Sequence, residues 1–150
     1  MHAMVSCISG AEAAETSSGH HHHAVIMRRL EEVLEANPDR TLYAAELCAA
    51  AGVSARTLLA CCREHLGMGP KRYLLLRRMH LARRALLMAD PATVTVTEVA
   101  TNYGFWELGR FSVAYRSLFG ESPSAAIRRP PEDPLPQKII GSPWDFPESA

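Results

Sequence analysis

Two segments of the chain, 53 residues apart, follow the same pattern. Residues 58–70 read LLACCREHLGMGP, and residues 111–123 read FSVAYRSLFGESP. In both, two apolar residues four positions apart are followed by arginine, a third apolar residue, glycine and, three positions later, proline. Residues 46–52 align in the same way with residues 98–104. Two copies are too few for a solenoid, so the pattern predicts two similar small units.

Apolar residues recur at helical spacing through the middle of the chain. Ile26, Leu30, Val33 and Leu34 form one such stripe, which Asn37-Pro38 ends. Further helices are predicted at about 42–51, 55–66, 71–88, 95–104 and 108–119, with Thr95 and Glu98 forming a capping box. No long stretch alternates with the period of a strand. The predicted fold class is therefore all-α.

The pattern divides the 150 residues into three parts. Residues 1–23 are small and polar and end in the run His20–His23, which is either native or a tag, so we expect a flexible leader there. Residues 130–150 form an acidic tail with six prolines, where we expect a loose segment on which Trp144 and Phe146 could dock. The folded part is predicted to span residues 24–129, with helix-turn-helix units at about 41–67 and 95–120 and a linking helix at about 71–88.

The net charge is zero, but the charge is unevenly distributed. Residues 24–129 carry 15 basic and 10 acidic side chains, a net charge of +5, whereas residues 1–23 carry −2 and residues 130–150 carry −3. The basic part is thus the part patterned like a fold, which suits an anionic partner. There is no apolar run of bilayer length, no secretory signal and no C-x-x-C pair among the four cysteines, so we expect a reducing cytoplasmic compartment and no membrane partner.

Each predicted unit reads as two crossed helices joined at a glycine. Gly52 and Gly104 supply the positive φ that such a turn needs. Small residues, Cys48 and Ala100, stand where the helices should approach most closely. The positions predicted to be buried are Leu47, Ala51, Val53, Leu58 and Cys61 or Cys62 in the first unit, and Val99, Tyr103, Phe105, Phe111 and Tyr115 in the second.

The stretch GFWELGRF at residues 104–111, with YR at 115–116 and FGESP at 119–123, resembles the signature of the AraC/XylS transcription regulators. Residues 46–58, ELCAAAGVSARTL, and 69–87, GPKRYLLLRRMHLARRALL, resemble that family's first helix-turn-helix and linking helix. The resemblance covers roughly residues 25–129. It implies a homeodomain-like fold of two helix-turn-helix subdomains joined by a long helix, with recognition helices entering successive major grooves of double-stranded DNA.

The resemblance also implies a sequence-specific regulator of the bacterial nucleoid, of the activator type that touches RNA polymerase. Many members carry an effector and dimerisation domain, for which this chain is too short, so it is either a small stand-alone member or part of a longer protein. The spacing is independently compatible: a linking helix of about 18 residues is roughly 27 Å long, and major grooves on one face recur about every 34 Å. No cofactor, metal or catalytic residue is expected.

The predicted buried faces leave other positions free to contact bases. On the first recognition helix, Arg56 could fork onto a guanine, and Leu59 and Ala60 offer apolar contact, for example with a thymine methyl group. The full set of base-contact candidates is Ala55, Arg56, Leu59, Ala60 and Arg63 on the first helix, and Glu107, Leu108, Gly109, Ser112, Val113 and Arg116 on the second.

The second recognition helix has few groups that can read a base by paired hydrogen bonds. Relatives often carry polar residues at positions where this chain has Leu108, Gly109 and Val113, so we expect this half mainly to hold the backbone and to sense DNA shape. Glu107 could accept from a cytosine amine, but stabilising the helix N-terminus is the favoured role. Trp106 could be an exposed anchor, but packing beside the turn is favoured.

Phosphate contacts follow from the basic side chains and from helix N-termini. The candidates are Thr41 and Thr95, at predicted helix starts, with Lys71, Arg72, Arg77, Arg110 and Arg128. Other arginines (Arg63, Arg83, Arg84, Arg116 and Arg129) join this pool, whereas Arg78 is assigned to structure. If about six phosphates are neutralised, log K falls by roughly 5 per decade of salt.

Two other functions compete with DNA binding. Cys61, Cys62 and His65 lie within one helical turn, as a thiol nucleophile or a zinc half-site would require, but the cysteines border the predicted buried seam and no second ligand pair has zinc spacing. A helical protein-interaction module is the second alternative, because Leu59, Leu108 and Val113 are apolar and face outward. Salt-sensitive binding to duplex DNA would separate that module from a regulator.

Overall fold

The computed structural model describes the backbone of residues 8–130 and the side chains from residue 19 onward. All regular structure in that range is helical, so the predicted all-α class is confirmed. The helices are α1 (Ile8–Glu35), α2 (Ala44–Ala51), α3 (Ala55–Leu66), α4 (Pro70–Met88), α5 (Val96–Asn102), α6 (Leu108–Phe119) and α7 (Pro123–Arg128).

The chain divides into two compact units. Among the described residues, the first comprises those up to Asn37 together with Ala44–Pro70, and the second comprises Pro38–Tyr43 and those from Lys71 onward. In the first unit α1 packs against α2 and α3, which also contact each other. Its buried apolar residues are Ile26, Met27, Leu30, Leu34, Leu47, Ala51, Leu58, Cys61 and Cys62.

In the second unit α5, α6 and α7 pack against one another, and α4 contributes Met79, Ala82 and Leu86 to the same core. Aromatic rings continue this core along α6. The Phe111 ring centroid lies 4.8 Å from that of Phe105 and 5.7 Å from that of Tyr115. Burial raises the pKa of the Tyr115 hydroxyl to about 12, so it stays neutral. The other core residues are Val99, Ala100, Ala126 and Ile127.

Local signals in the sequence set most helix ends. Ser54 caps α3 by accepting a hydrogen bond from the Thr57 backbone N–H, and Thr95 and Glu98 form the predicted capping box at α5. The turn glycines Gly52 and Gly104 have φ of +68° and +77°, in the left-handed region that other residues rarely adopt. The predicted crossing positions are buried or half-buried, including Val53, Tyr103, Phe105 and Cys48.

The observed helices differ from the predicted elements in three places. Within residues 1–23, those from Ile8 onward belong to α1 and are not irregular, because segments such as AEAAE favour helix and run without a proline into the stripe at Ile26. The second predicted helix begins at Ala44, not near Thr41. Helix α7 was not expected at all, although Ser122 caps it and Pro123 occupies its first turn. Residues 1–7 and 131–150, with Cys7, Trp144 and Phe146, lie outside the described residues.

Candidate nucleic-acid interface

The outward face of α3 carries two arginines. Arg56, Ala60 and Arg63 follow one another at helical spacing and are exposed, on the side of the helix opposite Leu58 and Cys62. Ala55 is also exposed, and Leu59 is half-buried. The predicted base-contact set of this helix therefore reaches solvent, with Leu59 contributing least.

The outward face of α6 is formed mainly by small and apolar residues. Val113 lies opposite the buried Phe111 and Tyr115 and is 73% exposed. Arg116 lies one turn beyond it and is exposed. Arg110 forms an ion pair with Glu107, with Nε 3.0 Å from Oε2, on the exposed surface. All the predicted base-contact candidates of this helix reach solvent: Glu107, Leu108, Gly109, Ser112, Val113 and Arg116.

Trp106 does not pack beside the turn as expected. Its side chain is 77% exposed, so the favoured expectation is wrong. The adjacent Phe105 fills the packed position, with its ring against Phe111. An aromatic side chain thus stands in solvent directly before α6, next to the outward face of that helix.

The two predicted helix N-termini differ from simple phosphate sites. At α5 the Glu98 carboxylate accepts hydrogen bonds from the Thr95 backbone N–H (2.7 Å) and hydroxyl (2.8 Å). The hydrogen bond from the Thr95 backbone lowers the pKa of Glu98, so a negative charge stands there and opposes phosphate. Thr41 is half-buried and precedes α2 by three residues, so it is not at the helix start.

The predicted phosphate-binding side chains fall into two groups. Lys71 and Arg72 at the start of α4 and Arg128 at the end of α7 are exposed. Arg77 is instead held by the loop before α2: its guanidinium donates to the carbonyl oxygens of Arg40 at 2.7 Å and Pro38 at 3.2 Å. Burial lowers the pKa of Arg77, as expected for a side chain drawn into the fold.

Other arginines of the pool are also tied into the second unit. Arg84 forms an ion pair with Asp39 at 3.1 Å. Arg83 and Arg129 both pair with Glu121, at 3.2 Å and 2.6 Å. The structural assignment of Arg78 agrees with its position beneath the rings of Tyr43 and Phe105.

The thiol cluster considered for catalysis or zinc is part of the core. Cys61 and Cys62 are buried, and burial raises the pKa of both, that of Cys62 to about 11. A raised pKa keeps the reactive thiolate scarce at neutral pH. His65 is exposed, and its Nδ1 is hydrogen-bonded to the Cys61 carbonyl oxygen at 3.1 Å. In the described range no group of three or more His, Cys, Asp or Glu side chains is arranged to hold a metal ion.

One contact on α3 was not foreseen from the sequence. His20 and His23 of α1 both contact the Glu64 carboxylate through Nδ1. The hydrogen bond from His23 is the main cause that lowers the pKa of Glu64. The histidine run read as part of a leader therefore holds α1 against α3, and no motif in the sequence signals that pairing.

Among the described residues, no single helix is long and apolar enough to cross a membrane. Helices α2 and α3 taken together meet that length and composition, but the pair is bent by 97°.

The helix after each turn exposes arginines on the side away from its core. Such a pair of units defines a tandem helix-turn-helix protein of the DNA-binding class.

Comparisons with known proteins identify the family. A family model described as a helix-turn-helix domain matches residues 47–129. A crystal structure of "a probable AraC family transcriptional regulator" from Rhodopseudomonas palustris is 35% identical, with a TM-score of 0.57, over 69% of this chain and 94% of that one. The chain belongs to the AraC/XylS family of helix-turn-helix transcription regulators, as its motifs predicted.

Two curated relatives are longer than this chain. The "Probable thc operon regulatory protein" of Rhodococcus erythropolis is 42% identical over 71% of this chain and 32% of its own length. The "XylDLEGF operon transcriptional activator 1" of Pseudomonas putida is 36% identical over 72% of this chain and 34% of its own length. The chain thus spans about a third of the length of these relatives.

Proposed function

We propose that the protein binds double-stranded DNA at specific sequences and activates transcription. One observation carries the proposal: in both units the helix that follows the turn glycine exposes the face away from its core, and that face includes Arg56 and Arg63 on α3 and Arg116 on α6. Family membership supports the same role, since the Pseudomonas putida relative is by its name a transcriptional activator.

In this proposal α3 and α6 enter successive major grooves. Arg56 reads a guanine through its paired N–H donors, because it stands in the first turn of α3, where a recognition helix meets base edges. Lys71, Arg72 and Arg128 bind phosphates, since they are exposed and, among residues 19–130, form no ion pair with an acidic side chain. Arg77 and Thr95 are not proposed as phosphate contacts, because Arg77 is hydrogen-bonded to the loop before α2 and Thr95 to the Glu98 carboxylate.

The partners other than DNA are proposed by analogy with the family. An activator must contact RNA polymerase, and the exposed side chains outside the two recognition faces are available for that contact. An effector or dimerisation domain would belong to a longer protein that contains this chain. We place the protein at the bacterial nucleoid in the cytoplasm, where its DNA lies.

The test is selection of bound sites from a pool of random duplexes by the full chain, followed by measurement of affinity for the recovered duplex against salt. We expect a shared sequence motif and a slope of log K against log salt of about −5. Arg63→Ala should weaken binding, whereas Arg28→Ala, at an exposed arginine of α1 that pairs with Glu32 at 4.0 Å, should not. Recovery of no motif together with a flat salt response would refute DNA reading and favour the protein-interaction alternative, to which the exposed Trp106 and Val113 would then belong.

A further inference from the structure

The two recognition helices present chemically different faces. With the 53-residue offset of the repeat, Arg56 corresponds to Gly109, Ala60 to Val113, and Arg63 to Arg116. The first face therefore has an arginine where the second has no side chain at all. Where the first has a methyl group, the second has a branched apolar side chain that is 73% exposed.

The packing of the protein does not explain Gly109. It lies in the first turn of α6, its φ is not in the positive region, and a Cβ added to it would meet no atom within 4 Å. Glycine destabilises a helix relative to alanine, because it loses more backbone freedom on folding. Gly109 therefore costs helix stability, and the packing of the described residues does not require it. We take this as a sign that a molecule outside the fold approaches the backbone closely there.

The surface around Val113 has the charge that a DNA partner would match. Arg116 lies on one side of it and Arg110 on the other; both are exposed, and Arg110 also pairs with Glu107. Phosphates bind such flanking arginines, while the centre of the face offers only apolar contact. The one apolar group on base edges in the major groove is the C5-methyl group of thymine.

We propose that α6 reads thymine: Val113 packs against the C5-methyl group of a thymine, and Gly109 allows the helix backbone to come close enough for that short side chain to reach it. The inference rests on the proposed function and deepens it by assigning direct readout to the second unit. It replaces the expectation that this half only holds the backbone and senses DNA shape.

The first test is a double-mutant cycle, which combines the truncation of Val113 with the removal of one thymine methyl group from the DNA. The probe is the tightest duplex that the full chain selects from a random pool, and each thymine in it is replaced in turn by uracil, which removes only the methyl group. At one position uracil should weaken binding of the unaltered protein about fourfold, the value for removing one buried methyl-sized group. Val113→Ala should bind the thymine duplex about as weakly, and should no longer distinguish thymine from uracil.

The second test measures two effects of one substitution at Gly109: the stability of the protein should rise, and its affinity for DNA should fall. Gly109→Ala should raise the melting temperature by about 3 °C, because alanine favours the helix. The same change should weaken binding of the selected duplex at least about fivefold, because the added Cβ holds the backbone away from the base edge. Ser124→Ala, an exposed position on α7, is the matched control and should change neither the affinity nor the thymine-to-uracil ratio.

The outcomes separate the inference from the proposed function. If the protein binds its selected duplex with the expected salt dependence, but uracil weakens the unaltered protein and Val113→Ala equally or not at all, thymine readout is wrong and DNA binding stands. If Val113→Ala lowers activated transcription with RNA polymerase while duplex affinity is unchanged, this face docks a protein and the inference is overturned. If no duplex is selected, both the proposed DNA binding and the thymine readout are wrong.

Discussion

Arg78 donates a hydrogen bond from Nη1 to the carbonyl oxygen of Gly104, 3.5 Å away, and so joins α4 to the turn between α5 and α6. Its guanidinium lies 5.5 Å from the ring centroid of Tyr43 and 5.2 Å from that of Phe105. A cation between two aromatic faces is held by their quadrupoles as well as by the hydrogen bond. These contacts of Arg78 constrain the turn at Gly104, and a substitution of that glycine tests the constraint.

Gly104→Ala should destabilise the protein more than Gly52→Ala. Both glycines have positive φ, which costs alanine about 1–2 kcal/mol. At Gly104 the added Cβ would also lie 2.8 Å from the Tyr43 hydroxyl and 3.1 Å from Arg78 Nη1, whereas at Gly52 it would meet nothing within 4 Å. Urea unfolding followed by circular dichroism should give a loss that is larger at Gly104 by at most about 1 kcal/mol, because the atoms met are the ends of side chains that can move aside. Equal losses would mean that the Arg78 contact does not constrain the turn.

Truncation of one core residue in each unit should weaken that unit. Leu58 and Phe111 occupy equivalent positions of the repeat and are 0% and 2% exposed. Leu58→Ala should cost about 2–5 kcal/mol and Phe111→Ala about 3–5 kcal/mol, because each leaves a cavity. Thermal melts of the two variants, with exposed Ser117→Ala as the control, test this expectation. A melting temperature equal to that of the unaltered protein would contradict the alignment of the two units.

Arg56→Ala should weaken binding of the selected duplex by about 1–3 kcal/mol and relax the sequence preference at one base pair. Lys71→Ala is the matched comparison, because a phosphate contact weakens all duplexes alike and lowers the salt slope by about 1. Affinities for the selected duplex and its single-base variants separate the two patterns. A uniform loss for Arg56→Ala would place that arginine on a phosphate.

Stability should fall in mildly acidic solution because of His80. Burial, and secondarily the charge of Arg83, lowers the pKa of His80 below its ordinary value. The unfolded chain then binds the proton more readily than the folded one, so stability is full above the ordinary pKa of about 6.5 and is lost as the pH falls below it. His80→Gln should flatten the change in melting temperature between about pH 7.5 and pH 5.5, whereas Ser117→Ala, at an exposed position without a titratable group, should not. An unchanged slope in His80→Gln would refute this origin.

Local chemistry explains which parts of the fold were predictable. Helices α3, α5 and α6 begin and end within a residue or two of the predicted positions, because capping side chains and turn glycines act on adjacent backbone. The upstream extent of α1 was missed, since the helix-favouring segment AEAAE carries no stripe of large apolar residues at helical spacing that would have marked it. A six-residue helix such as α7 offers too few turns for a periodic pattern to show.

The sequence predicted most of the outward-facing positions of the candidate interface, but not which arginines are held by contacts within the protein. Which residues face outward follows from helical spacing, and the predicted positions on α3 and α6 are exposed, except that Leu59 is half-buried. Whether an arginine is free depends on residues far away in sequence: Arg77 is held by Pro38 and Arg40, and Arg84 by Asp39. The exposure of Trp106 likewise depended on which of two adjacent aromatic rings, its own or that of Phe105, packs against α6.

The packing of α1 limits where this helix-turn-helix protein can be cut to make a fusion protein. The family model begins at residue 47, yet Ile26, Leu30 and Leu34 of α1 are buried in the unit to which α2 and α3 belong. A fusion protein that begins at residue 47 would lack α1, and the apolar side of α3 would then be exposed to water. A fusion to another domain should therefore begin upstream of the histidine run, so that it keeps α1 together with α3, which α1 covers.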